Sequence, residues 1–189
     1  MRRFIFNLVS VLFSAVKFGI MKLFHFHHFF YSGVQRFSPN TEVVIAEGGT
    51  IRLGRHVRAH RRSKLLAMDG GTLEIGSNTA LGNGVSVNCM ESIVIGEGVQ
   101  IGPDTKIYDH DHDYRVPGGI GAGKFVTAPV TIGDNSWIGC NVVILRGTSI
   151  GKNCIVGAGS VLKGTYPDNS VIVQKRQTTA TVYPTGTEK

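Results

Sequence analysis

The chain has 189 residues, a formal net charge of +7 and three cysteines. That length suits one domain with an appendage, and an odd cysteine count without paired spacing gives no sign of a disulfide framework. The charge is lopsided, with 11 Lys/Arg against 2 Asp/Glu over residues 1–64 and 9 against 11 over residues 65–189, so an acidic surface or partner is expected near the N-terminus.

Residues 1–38 are predicted as an apolar, basic helical segment. Phe4 to Val16 is mostly apolar, then Lys17 and Lys22 interrupt; this run is too short to span a bilayer. Arg2-Arg3 before it resembles the start of a signal peptide, yet Phe13-Ser14-Ala15 lacks the small residue expected three before a cut. Residues 1–35 are therefore expected to lie on a membrane surface, or else to pack on the rest of the protein or a sister subunit. His25, His27 and His28 have no second cluster at ligand spacing and read as ordinary surface. Ser38-Pro39-Asn40 is a turn and the predicted boundary of the next unit.

From there an apolar repeat begins irregularly, at Val43 to Ile45, Ile51 and Leu53-Gly54. Arg52, Arg55, Arg58, Arg61, Arg62 and Lys64 form a basic band, which reads as a solvated face or a contact for anionic headgroups or acidic glycans. No recognition motif or interleaved aromatics accompany it, so nucleic acid is not an expected partner. Clearer repeats follow at Ile75-Gly76, Leu81-Gly82 and Val87-Asn88, then Ile95-Gly96, Ile101-Gly102 and Ile107. Cys89-Met90-Glu91-Ser92 adds two residues to the beat and is expected to bulge from a corner.

After Ile107 the repeat stops, and residues 108–129 form a predicted inserted loop that opens Asp109-His110-Asp111-His112-Asp113. Long insertions in a regular repeat are usually functional. Histidine titrates near neutral pH and serves as a general base; alternating Asp and His also match hard and borderline metal ligands.

The repeat then returns at its most regular. Ile132, Ile138, Ile144, Ile150, Val156 and Leu162 recur every sixth position, and Ser136, Val142, Thr148, Cys154 and Ser160 hold the small or β-branched place between them. Gly133, Gly139, Gly151 and Gly157 follow four of the aliphatics, and glycine is expected there for tight, positive-φ corners. Period six fits neither an amphipathic helix nor a simple strand, and belongs to stacked β-solenoids with three faces and about 18 residues per turn. Residues 39–173 are the predicted solenoid and residues 174–189 a polar tail.

On these residues the chain resembles the left-handed β-helix acyltransferases with hexapeptide repeats, and within them the sugar and polysaccharide O-acetyltransferases. The fold this implies is all-β, a left-handed parallel β-helix with an N-terminal helical segment and one long inserted loop. The resemblance implies acetyl transfer from acetyl-CoA to a carbohydrate hydroxyl, a homotrimer, and a role in surface-polysaccharide building. It implies the cytoplasm, or the inner face of the membrane, because acyl-CoA is not supplied outside the cell. An N-acetyltransferase of an amino sugar or antibiotic would differ only in acceptor, and a non-catalytic scaffold would keep the repeats without the histidine loop.

The resemblance also implies site residues. The family histidine falls five places after the last inward aliphatic, on His112, with His110 the alternative base. Asp109 or Asp111 would orient the imidazole, and a coil backbone N–H would serve the oxyanion. Asn88 and Glu91 are the nearest matches to the acceptor-contacting pair. Trp137 and Gly139 would line the pantetheine slot, with Gly157, Ala158, Gly159 and Ser160 along the acetyl-CoA groove. The family's closing Gly-Asn-Pro-Ala turn is missing here, leaving Lys163, Lys175 or Arg176 to meet the coenzyme phosphates. No metal is expected: solenoid carbonic anhydrases bind zinc with histidines at other spacings, including a pair with four residues between its members, which this chain lacks.

Overall fold

A computed structural model describes residues 2–175, 177 and 179, with side chains from residue 5 onward. Helix α1 (Arg2–Phe24) leads into a parallel β-solenoid of about six turns. Each turn lays down three short strands, which stack into three sheets. The first sheet holds β1 (Phe29–Tyr31), β4 (Thr50–Leu53), β7 (Thr72–Ile75), β10 (Ser92–Ile95), β15 (Val130–Ile132), β18 (Ser149–Ile150) and β21 (Thr165–Tyr166). The second holds β2 (Arg36–Phe37), β5 (Arg58–Ala59), β8 (Ala80–Leu81), β11 (Gln100–Ile101), β16 (Trp137–Ile138), β19 (Ile155–Val156) and β22 (Val171–Ile172). The third holds β3 (Glu42–Ile45), β6 (Lys64–Ala67), β9 (Ser86–Cys89), β12 (Lys106–Tyr108), β17 (Val143–Ile144) and β20 (Val161–Leu162).

The sixfold pattern is the packing pattern. Every one of Ile132, Ile138, Ile144, Ile150, Val156 and Leu162 is buried, and so are Ser136, Val142, Thr148, Cys154 and Ser160 at the corners. Strand register places like on like: Val43, Leu65, Val87, Ile107, Ile144 and Leu162 form one inward column. Thr105 Oγ1 donates to Gly139 O at 3.0 Å and Ser136 Oγ to Gly151 O at 2.9 Å, so these buried corner hydroxyls are satisfied by carbonyls of the neighbouring turn, whereas Ser38 Oγ has no partner among the described residues.

The repeat length is not uniform. Ile132 pairs with Ile150, the expected 18-residue turn, but Ile51 pairs with Leu73 and Leu73 with Ile93, turns of 22 and 20 residues. The longer turns carry four-residue strands, which is why the beat reads as irregular there. The solenoid also starts earlier than the Ser38-Pro39-Asn40 boundary, since β1 already pairs with β4 through Phe29 and Ile51. Its first inward residues are aromatic, Phe29 and Phe37, so an aliphatic pattern does not reveal them.

The reason for the glycines differs from the sequence expectation. Gly133 and Gly139 do not have positive φ; a Cβ on Gly133 would meet the Gly151 carbonyl carbon at 2.5 Å, and one on Gly139 the Ala158 nitrogen at 2.7 Å. Close stacking of turns excludes a side chain. The left-handed corners are held by other glycines, such as Gly147 and Gly159, and by Asn135, Asn141, Asn153 and Asn169, which tolerate αL because their short polar side chains bond locally.

The N-terminal segment is one continuous helix, which runs on through Lys17 and Lys22 to Phe24. Its Ile5–Phe24 stretch is by length and composition enough to cross a membrane. In this fold it caps the first turn. Phe18 is fully buried against Phe29 and Phe37, with ring centroids 5.1 and 4.8 Å apart. Ser14 Oγ accepts the Phe37 N–H at 2.7 Å, and Lys17 Nζ donates to Thr41 O at 2.8 Å.

Candidate active site

The repeat is interrupted at the corner between the third sheet and the first. Chain leaving β12 forms a hairpin of β13 (His110–His112) and β14 (Phe125–Thr127), antiparallel, with His110 opposite Thr127 and His112 opposite Phe125. A 3₁₀ turn, Gly119–Ala122, closes its tip between Gly118 and Gly123, both in the left-handed region.

Asp109 roots the hairpin. It is fully buried, and its carboxylate accepts the backbone N–H groups of Met90, Glu91 and Ser92 at 2.8 to 3.1 Å. The residues expected to bulge are thus a turn pinned to the loop's first carboxylate. Asp109 also holds His110 Nδ1 at 2.9 Å. Burial alone would raise this carboxyl, but the hydrogen bonds from His110 and from the Glu91 and Met90 N–H groups outweigh it and hold it below the usual carboxylate range. The neighbouring Cys89 thiol is pushed up, first by burial and then by the Asp109 charge, so it stays protonated and inert.

His110 and His112 stand two residues apart on one strand and share a face. Phe125 lies between them, 5.6 Å from the His110 ring and 4.5 Å from the His112 ring. The His110 side chain is 15% exposed, and its ring also meets Tyr108. His112 is exposed, and among the described residues it makes ring contact with Phe125 and no hydrogen bond. Asp111 bonds Arg146 Nε at 2.6 Å. The carboxylates expected to orient His112 therefore serve other partners: Asp109 takes His110, and Asp111 ties the hairpin to the following turn through Arg146.

Asn88 and Glu91 sit beside this root. Asn88 is the register partner of Tyr108, and its Nδ2 donates to Ser86 Oγ at 3.0 Å. Glu91 gives its N–H to Asp109 and leaves its side chain exposed. The residues expected to line the coenzyme groove lie elsewhere. Trp137, 57% exposed, is on the outer face of the second sheet, in register with Gln100 and Ile155. Gly157, Ala158, Gly159 and Ser160 form the corner above Gly139 and Cys140, where Gly159 N donates to Cys140 O at 2.8 Å and Ser160 Oγ to Gly157 O at 2.7 Å. Lys163 and Lys175 are exposed; Arg176 lies outside the described residues. Within one chain the histidine hairpin is on the corner opposite the face that carries Trp137.

Phe125 and Arg146 were not singled out by sequence. The signals available were the lone aromatic on the loop's return and a charged residue following a regular Ile144-Leu145 pair. Among the described residues no cluster of three or more His, Cys, Asp or Glu is arranged to hold a metal ion.

The model of the family described as bacterial transferase hexapeptide (six repeats) matches residues 129–164. A probable acetyltransferase of Mycobacterium tuberculosis is 34% identical over 126 residues, 65% of this chain and 41% of that one. WbbJ of Escherichia coli, a putative lipopolysaccharide biosynthesis O-acetyl transferase, is 30% identical over 138 residues, 68% of this chain and 69% of that one. The chain thus spans less than half of the mycobacterial relative and about two thirds of WbbJ. Among solved structures, a hexapeptide-repeat acetyltransferase of Vibrio cholerae complexed with acetyl coenzyme A superposes with a TM-score of 0.54 at 24% identity, covering 82% of this chain and 69% of that one. That likeness concerns the fold, a parallel β-helix, left-handed in the hexapeptide-repeat acyltransferases. On its repeats, its fold and its similarity to WbbJ, the chain belongs to the bacterial transferase hexapeptide-repeat family.

Proposed function

We propose that this chain transfers an acetyl group from acetyl-CoA to a hydroxyl of a carbohydrate acceptor, in the cytoplasm, in the building of a surface polysaccharide. The observation that carries the reading is the long insertion in the solenoid, where a hairpin rooted by a buried carboxylate presents an exposed imidazole. The relation to WbbJ, named as an O-acetyl transferase, supports the oxygen acceptor.

His112 is the base in this reading. Both of its ring nitrogens are free of hydrogen bonds among the described residues, so one can accept the acceptor's hydroxyl proton. The hydroxyl oxygen attacks the thioester carbonyl, the C–S bond breaks as the tetrahedral intermediate collapses, and the proton passes to the departing thiolate. Asp109, His110 and Phe125 position the strand that carries His112. Asn88 and Glu91 are placed for the acceptor, and Trp137 with the Gly157–Ser160 corner for the coenzyme arm.

These two sets lie on different sides of one prism. A closed trimer would bring the hairpin of one subunit to the second sheet of the next and repeat the site three times. Incubation with isotope-labelled acetyl-CoA and a panel of sugars, oligosaccharides and amino sugars tests the reading. Mass analysis should find an acetyl ester on a carbohydrate hydroxyl. Acetamide products alone would transfer the function to amines, and no product with any acceptor would defeat it.

A further inference from the structure

Helix α1 is turned inside out for a water-facing helix. The side chains it buries against the solenoid include two serines, Ser10 and Ser14, beside Phe18. Its outward face runs Ile5, Leu8, Leu12, Val16, Ile20 and Leu23, spaced three or four apart, each at least half exposed. Lys22 is the one charged side chain described as exposed on the helix.

Cations flank this face. Two clefts of about 330 and 300 Å³ run between α1 and the first turns. Arg36, His56 and Arg58 line one, and Arg36, His60 and Arg61 the other, with the Arg61 guanidinium 4.9 Å from the Phe6 ring. His60 is held below its usual range, first by burial and then by Arg36 and Arg58, which reports a positive local field. Neither cleft has an Asp or Glu among its lining residues.

We infer that the outward face of α1, with the cationic clefts beside it, docks the protein on an anionic lipid bilayer, the helix lying in the plane of the interface. Apolar burial and attraction between Arg or Lys and acidic headgroups act together in such helices. A second copy of the chain is a poorer occupant, because self-association through this face would bring arginines against arginines. A spanning orientation is disfavoured by the helix's own bonds: Ser14 to Phe37 and Lys17 to Thr41 tie it lengthwise to the solenoid and would have to break. Docking confines the protein to the plane in which an acceptor built on a lipid would sit.

The full-length protein is sedimented with vesicles of phosphatidylcholine, with or without phosphatidylglycerol. It should pellet with the anionic vesicles, stay in solution with phosphatidylcholine alone, and be released by about 0.5 M salt, where the Debye length is only a few Å. Leu12→Glu/Val16→Glu changes two exposed side chains, and Arg58→Glu/Arg61→Glu reverses the clefts; each pair should lower partitioning at least tenfold, about 1.4 kcal/mol. Wild-type protein that remains in solution with anionic vesicles overturns the inference. So does undiminished binding by both double variants. A vesicle-bound form that resists alkaline extraction would show a spanning helix instead, and a loss of oligomer mass in Leu12→Glu/Val16→Glu without vesicle binding by wild type would assign the face to a subunit contact.

Discussion

Asp109 and His110 are joined by a 2.9 Å hydrogen bond at the root of the long insertion in the repeat, and the same carboxylate gathers three backbone N–H groups from the turn at residues 90–92. Two parts of the chain about twenty residues apart are thereby fixed to one buried charge. The hairpin that carries His112 inherits its position from that point.

Asp109→Asn tests the anchor. An amide offers one acceptor oxygen and turns an NH₂ toward backbone donors, so the variant should lose about 2–4 kcal/mol of stability. Chemical denaturation checks this. The pH dependence has a definite sign: the folded-state carboxyl titrates lower than the unfolded one, so its contribution is complete above the unfolded value near 4 and is lost as pH falls through the folded value. The acid limb of a stability–pH curve should flatten in Asp109→Asn; an unchanged limb would remove Asp109 as its source.

The stacking argument for glycine predicts opposite outcomes at two sites. Gly133→Ala forces a Cβ against the backbone of the next turn and should cost about 2–3 kcal/mol. Gly19→Ala, on α1 with nothing within 4 Å, should be neutral or stabilise by about 0.5–1 kcal/mol. Melting curves of the two variants decide it; equal effects would mean that turn-to-turn contact is not what selects glycine.

Trp137 is largely exposed in one chain, so Trp137→Ala should change the stability of the fold by less than about 0.5 kcal/mol. If it lines the coenzyme slot, KM for acetyl-CoA should rise by about tenfold, the loss of one aromatic contact of roughly 1–1.5 kcal/mol. A large fall in kcat at unchanged KM would place Trp137 at the reacting atoms instead.

A trimer is expected from the separation of the hairpin and Trp137 on opposite sides of the prism. Light scattering should give three times the 20.4 kDa chain mass. A fully active monomer would mean that one chain completes the site alone.

How much of this was legible in the sequence follows from what each residue repeats. Ile132 to Leu162 recur every sixth place because each fills the inward position of the next face of the coil, and every third one stacks on its counterpart a turn earlier, so the solenoid reads directly. Phe29 and Phe37 occupy inward columns too, but as single aromatics they lack the repeat that would have announced them. The loop histidines were visible because they break the repeat. Their partners were not: Asp109 bonding to residues 90–92, and Arg146 to Asp111, are contacts between turns that spacing along the chain does not encode.

The most direct measurement is the rate of acetyl-ester formation by wild type, His112→Ala and His110→Ala on one carbohydrate acceptor with a free hydroxyl, with oligomeric mass checked for each. Removal of a general base predicts that His112→Ala loses about 10²- to 10⁴-fold in turnover while keeping its assembly, and that His110→Ala, which removes a positioning residue, loses less. Near-normal turnover in His112→Ala, with the larger loss in His110→Ala, would contradict the assignment and make the Asp109–His110 pair the catalytic one.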